Sequence, residues 1–133
     1  MAVTAKKPSQ EYIPGVCNIG PAERRLRRIG GIAGTVATLL ILVVLLVSGG
    51  PIWWRLILII PAAGAATGFL QDALHFCAGY GMKGIYNVIN SVGVVDNIDL
   101  EEFRLKDKRK ALQITIWSGL IGVAFALLTL LIP

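Results

Sequence analysis

A chain of 133 residues, 55% hydrophobic and only 16% charged, is too apolar for an ordinary soluble domain, where about a quarter of residues carry charge. Its 13 Lys and Arg outnumber 8 Asp and Glu. The cations crowd the edges of charge-free stretches, so membrane topology and anionic headgroups explain the basic balance and nucleic acid is excluded.

Residues 1–20 form a polar N-terminal tail, of which residues 1–16, with Pro8 and Pro14, are expected to be extended or loosely ordered. Residues 21–28 then read Pro-Ala-Glu-Arg-Arg-Leu-Arg-Arg. Pro21 suits a first helical position, and Glu23 suits the positive end of a helix. Arg24, Arg25, Arg27 and Arg28 precede an apolar stretch over residues 29–47. On the positive-inside rule they hold that end at the cytoplasmic headgroups; contact with an acidic partner is the other reading. The stretch is not expected to be a secretory signal. It begins far from Met1, and Pro51 and two Trp follow it instead of a small-residue cleavage site.

Ser48-Gly49-Gly50-Pro51 predicts a tight turn, which makes residues 21–72 an antiparallel transmembrane hairpin. Trp53 and Trp54 fall where indole rings settle at the outer interface. The second stretch, residues 56–70, reaches spanning length once residues 52–54 are added and Arg55 snorkels its guanidinium to the surface. Pro61 is expected to kink this helix.

Residues 73–110 are read as a cytoplasmic loop, with six cations balanced by nearby anions including Asp107. Gly79, Gly81 and Gly84 match a Gly-x-Gly-x-x-Gly pattern. A dinucleotide site needs that pattern between a strand and a helix of a parallel-sheet unit, which has no place here. The glycines are expected to end the second helix and turn the chain. Residues 99–110 predict an amphipathic helix along the membrane surface. Asp99 and Glu102 are set as a capping box, and Leu100, Phe103 and Leu105 are its apolar positions. A third span occupies residues 111–133.

Small residues recur at a spacing of four: Gly30 and Gly34, Gly64 and Gly68, then Ser118, Gly122 and Ala126. Each set shares one helix face, where backbones can approach closely. Two readings follow: packing within the three-helix unit, or docking of one face, that of Gly122, against another subunit.

Asp72, His75 and Cys77 cluster after the second span. Asp72 and His75 are three apart and would share a helix face. A closed zinc site wants four ligands, mostly Cys and His, and the chain has two Cys and one His. His75 is the candidate axial ligand for a haem or chlorophyll-type pigment; a hydrogen-bonded interfacial His is the plainer reading. Cys77 is the candidate thiol. Cationic neighbours such as Lys83 would lower its pKa and a helix C-terminus would raise it; a buried, inert thiol is the alternative. Cys17 and Cys77 are both expected on the cytoplasmic side, hence as free thiols. No Ser/His/Asp set is supported. The spans carry no ionisable residue except the edge Arg55, which argues against an ion-coupled transporter.

Asn18-Ile19-Gly20, Glu23-Arg24, Arg27 and Gly30-Gly31, with Cys77, Tyr80 and Gly84 further on, resemble the YgaP-like family of small inner-membrane domains. In that family an Asn-x-Gly segment followed by paired arginines leads into a two-helix hairpin that closes on Cys-Pro-x-Tyr-x-x-x-Gly. Ala78 stands here where the family has proline. The resemblance covers residues 17–87 and implies the hairpin fold. Members fused to a rhodanese sulfurtransferase imply a link to sulfur handling; this chain instead adds a third span.

The sequence therefore predicts an all-α integral membrane protein of three transmembrane helices with an amphipathic cytoplasmic segment. Its expected place is the bacterial inner membrane, N-terminus cytoplasmic and C-terminus outside. The expected role is a non-enzymatic accessory subunit of a larger membrane complex, respiratory or photosynthetic, whose partners are other integral membrane subunits and lipids. The alternatives are a sulfur-relay or redox-sensing protein using Cys77, and a pigment- or haem-binding subunit using His75. No cofactor is firmly implied.

Overall fold

A computed structural model describes residues 12–89 and 91–133; the expectation of a loose tail over residues 1–11 falls outside that range. Helix α1 (Pro21–Ser48) begins at Pro21, as its fixed φ and missing N–H allow, with Gly20 as an extended N-cap. It ends where Gly49 turns left-handed at φ 67°, a conformation glycine adopts without a Cβ penalty. Its 28 residues span about 42 Å at 1.5 Å per residue, more than a hydrocarbon core of ~30 Å.

The return leg starts as a 3-10 segment, Ile52–Leu58, and continues as α2 (Ile59–Leu74). Pro61 sits in the first turn of α2, just past the switch between the two helix types. Its missing N–H therefore falls at a seam already short of α-type bonds, where the sequence predicts a kink in a continuous helix. A short helix α3 (Ala78–Lys83) and an antiparallel pair, β1 (Ile85–Tyr86) with β2 (Asp96–Asn97), lead to α4 (Glu101–Thr129). The amphipathic segment and the third apolar stretch are thus one uninterrupted helix. Its N-cap is Leu100, with no side-chain cap, so the expected Asp99 box does not form. The described chain has three helical stretches long and apolar enough to cross a membrane: Pro21–Ser48, Ile52–Leu74 and Glu101–Thr129.

Helix α2 lies between α1 and α4 and packs on both. A Cβ added at Gly68 would lie 2.6 Å from the Gly31 nitrogen, and one at Gly34 would lie 3.0 Å from the Ala65 Cα. On the other side, a Cβ at Gly122 would lie 2.7 Å from the Ile59 carbonyl oxygen, between the buried Ser118 and Ala126. Backbones meet there because nothing larger than a methyl intervenes. Gly122 thus faces inward onto α2, contrary to the docking reading. Gly30 and Gly64 meet open space. One residue is ~100° around a helix, and Gly31 rather than Gly30 points into the seam.

The glycines after the second helix also differ from expectation. His75, not a glycine, ends α2 in the left-handed region at φ 56°. Gly81 sits inside α3, where a Cβ would strike the Phe76 ring at 2.8 Å, and Gly84 caps α3 at φ 71°. Phe76, Ala111 and Ile114 form a fully buried apolar core between α3 and α4.

Residues 12–20 are folded, including residues 12–16 of the tail expected to be loose. Asn18 and Ile19 donate to the His75 carbonyl at 3.0 and 3.4 Å, Asn87 donates to Asn18 O at 2.9 Å, and Gly20 donates to Asn87 O at 2.8 Å. This segment is threaded between the end of α2 and the strand after α3.

Candidate functional site: a buried polar cluster where three helices end

At the N-terminal end of α1 the molecule buries charge. Glu23 is only 1% exposed. A carboxylate removed from water is costly unless hydrogen bonds and a counter-charge replace its hydration. Both are present. Arg27, one turn on, approaches at 3.4 Å, Tyr80 of α3 donates its hydroxyl to Glu23, and Asn87 donates its amide at 3.3 Å. The Arg27 guanidinium also donates to the Cys77 sulfur at 3.2 Å and lies 5.7 Å from the centre of the Tyr80 ring. Burial, then the hydrogen bond to Glu23 and its charge, push the Tyr80 phenol up to about 12.

Asn18 completes the cluster. Its carboxamide clasps the peptide at Cys77, accepting from the Cys77 N–H at 2.6 Å and donating to the Cys77 carbonyl at 3.1 Å. The side chain supplies the pairing that a strand neighbour would otherwise give. Gln71 acts likewise, accepting from the Ala78 N–H at 2.9 Å.

The three residues expected to cluster diverge. The Asp72 carboxylate is held by Arg28 at 2.8 Å and Arg24 at 3.3 Å. His75 leaves the helix at its left-handed C-cap and lines a surface hollow of about 490 Å³ with Ile13, Val16 and Lys110. Burial and the Arg24 charge hold its imidazole below the ordinary histidine value, which favours the neutral form a metal ligand needs. Among the described residues, no group of three His, Cys, Asp or Glu side chains gathers to hold an ion. Cys77 turns inward, 5% exposed. It stands at the N-cap of α3 and against Arg27, not at a helix C-terminus beside Lys83. Burial also raises the Cys17 thiol. Neither cysteine is in a disulfide.

Of the expected interface residues, Arg25 is exposed, while its neighbours serve Asp72 and Glu23. Trp53 and Trp54 are 70% and 58% exposed at the far end. Arg55 does more than snorkel. Its guanidinium donates to the carbonyls of Thr129 at 2.6 Å and Ile132 at 2.7 Å, closing the C-terminal end of α4 where unpaired carbonyls carry partial negative charge.

Asp107 is the functional-looking residue that sequence reading missed, having placed it among solvated charges. It is fully buried, accepting from the Tyr12 hydroxyl at 2.9 Å and the Gly15 N–H at 2.7 Å. Tyr12 in turn stacks on Tyr86 with ring centres 4.4 Å apart. A signal for Asp107 existed. It lies four residues before Ala111, and the buried stripe Ala111, Ile114, Ser118, Gly122, Ala126 continues at helical spacing straight back to it.

Midway along the helices lies a second feature, an apolar groove of about 220 Å³ between α1 and α4. Its floor is Ala62, Ala65 and Ala66 of α2, and its walls include Leu39 of α1 and Ile121 of α4. Thr35 and Thr38 also line it, but their hydroxyls donate back to Gly31 and Gly34 carbonyls and leave the groove apolar.

No family model matches this chain, and neither a curated protein nor a solved structure matches it.

Proposed function

We propose that this chain is an integral membrane protein of the bacterial inner membrane and a non-enzymatic accessory subunit of a larger energy-transducing complex. Its N-terminus is cytoplasmic and its C-terminus outside, because the cations of residues 24–28 and 104–110 gather at one end of the bundle. The observation that carries the subunit reading is the groove between α1 and α4. It runs at the depth of the apolar helices and has an alanine floor, the composition that lets a further helix approach closely. Leu39 and Ile121 on its walls are 50% and 43% exposed.

Affinity capture from native membranes after mild extraction tests this. Large membrane subunits in fixed stoichiometry are expected with the wild type and not with Leu39→Trp, which puts an indole into the groove. A lone protein, a homo-oligomer, or unchanged capture by Leu39→Trp would overturn it.

The sulfur-relay reading has one observation in its favour, the Arg27 guanidinium donating to the Cys77 sulfur at 3.2 Å. Its burial means that relay needs the cluster to open. Loss of a thiol-dependent activity in Cys77→Ser, with capture unchanged, would support it. We also propose kinship with the YgaP-like family, on Asn18, Glu23, Arg27, Cys77 and Tyr80, which tie the start of α1 to α3.

A further inference from the structure

Three hollows adjoin at Lys110. One, of about 230 Å³, runs along the helices between Leu70 and Leu74 of α2 and Ile114 and Trp117 of α4. A second, of about 210 Å³, is walled by Lys106, Arg109 and Gln113. The third is the hollow of about 490 Å³ beneath Ile13 and Val16. Lys110 lines all three, and Gln113 lines the first two.

The charges here are unmatched. Asp107 is the one acid within residues 106–110, and it is turned inward onto Tyr12 and Gly15. Among the described residues, the ion pairs involve only Arg24, Arg27 and Arg28 as cations. Lys106 leans over the Phe103 ring at 6.0 Å. Arg109 and Lys110 thus stand at the mouth of an apolar channel with no ion-pair partner among the described residues.

We infer that this channel binds one anionic glycerophospholipid. Its phosphate sits among Lys106, Arg109, Lys110 and the Gln113 amide, and an acyl chain lies along Leu70, Leu74, Ile114 and Trp117. The continuous passage from cations to apolar wall fits an amphiphile rather than a free anion. A zwitterionic headgroup would bring its own cation into a cationic mouth. Juxtamembrane cations attract anionic lipid in general; here they are joined to a shaped chain-binding wall. The inference rests on the helices being membrane spans.

The test uses the full chain with Trp53→Phe and Trp54→Phe, so that Trp117 is the sole indole. It is reconstituted into phosphatidylcholine vesicles containing phosphatidylglycerol with brominated chains, whose bromine quenches a touching Trp. Quenching should saturate at a small fraction of brominated phosphatidylglycerol, while brominated phosphatidylcholine quenches only in proportion to its abundance. Adding Arg109→Gln and Lys110→Gln should raise the half-saturating fraction at least fivefold per cation removed. Lys83→Gln, outside the hollows, should leave it unchanged. Identical curves for the two wild-type lipid series would overturn the site even if the double variant failed to fold. An equal shift from Lys83→Gln would also overturn it, as would relief of quenching by inorganic phosphate. Failure to float with the vesicles would overturn the membrane reading and the lipid site with it.

Discussion

Arg27 and Cys77 meet at 3.2 Å across 50 residues of sequence, and that contact fastens the start of α1 to the start of α3. Because Arg27 also reaches Glu23, one guanidinium serves a buried carboxylate and a buried sulfur together. The polar end of the bundle is organised around it.

Removing that guanidinium strands Glu23. Arg27→Ala is expected to cost about 3–5 kcal/mol, the penalty of an uncompensated buried charge. Glu23→Gln combined with Arg27→Met should cost clearly less than Arg27→Ala alone, since it leaves no charge behind. Unfolding in mixed detergent micelles measures both; additive losses would contradict the coupling.

The two seams should tell tight glycines from open ones. Gly68→Ala places a methyl against the α1 backbone and is expected to destabilise by about 1–3 kcal/mol. Gly64→Ala, facing open space, should be neutral. Gly122→Leu should disrupt the α2–α4 packing of the subunit itself, where Gly30→Leu should not. Thermal unfolding of the four variants in one detergent decides this.

Stability should have an acid and an alkaline limb. His75 is held below its ordinary 6.5, so the unfolded chain takes up a proton first. Its contribution is present above about pH 6.5 and lost as pH falls below it. The Tyr80 phenol is raised from 10.0 to about 12, so the unfolded chain releases its proton first. That contribution is complete below pH 10 and disappears as pH rises through about 12. His75→Gln should flatten the acid limb and Tyr80→Phe the alkaline one, as followed by helical circular dichroism against pH.

Arg55→Ala should free the carbonyls of Thr129 and Ile132 at a cost of about 1–3 kcal/mol, typical of bonds to a charged donor. Hydrogen exchange should quicken in the last turn of α4 and stay unchanged at its start. Arg55→Lys should restore part of the protection.

The three long helices were legible because charge-free runs of this length have few other uses, and Pro21 and Gly49 mark the ends of α1 by backbone chemistry alone. The polar cluster was less so. Asn18 and Cys77 are 59 residues apart, and no periodicity links a carboxamide to a distant peptide group. Glu23 read naturally as a helix-end charge, because its partners Tyr80 and Asn87 come from α3 and the strand beyond. The seam glycines show a subtler limit. Spacing of four keeps Gly30 beside Gly34 and Gly64 beside Gly68 on one face but does not say where along that face the neighbouring helix touches, so Gly34 and Gly68 pack while Gly30 and Gly64 do not. Asp107 was within reach, had the buried stripe of α4 been followed past the last lysine.

The central claim is that the groove between α1 and α4 receives another membrane protein. A photo-crosslinking side chain at position 39, activated in native membranes, tests it directly. The account predicts a discrete adduct with one larger membrane protein, absent when the crosslinker is moved to position 44 on the exposed face of α1. Adducts to lipid alone, to a second copy of this chain, or of equal yield from both positions would contradict it.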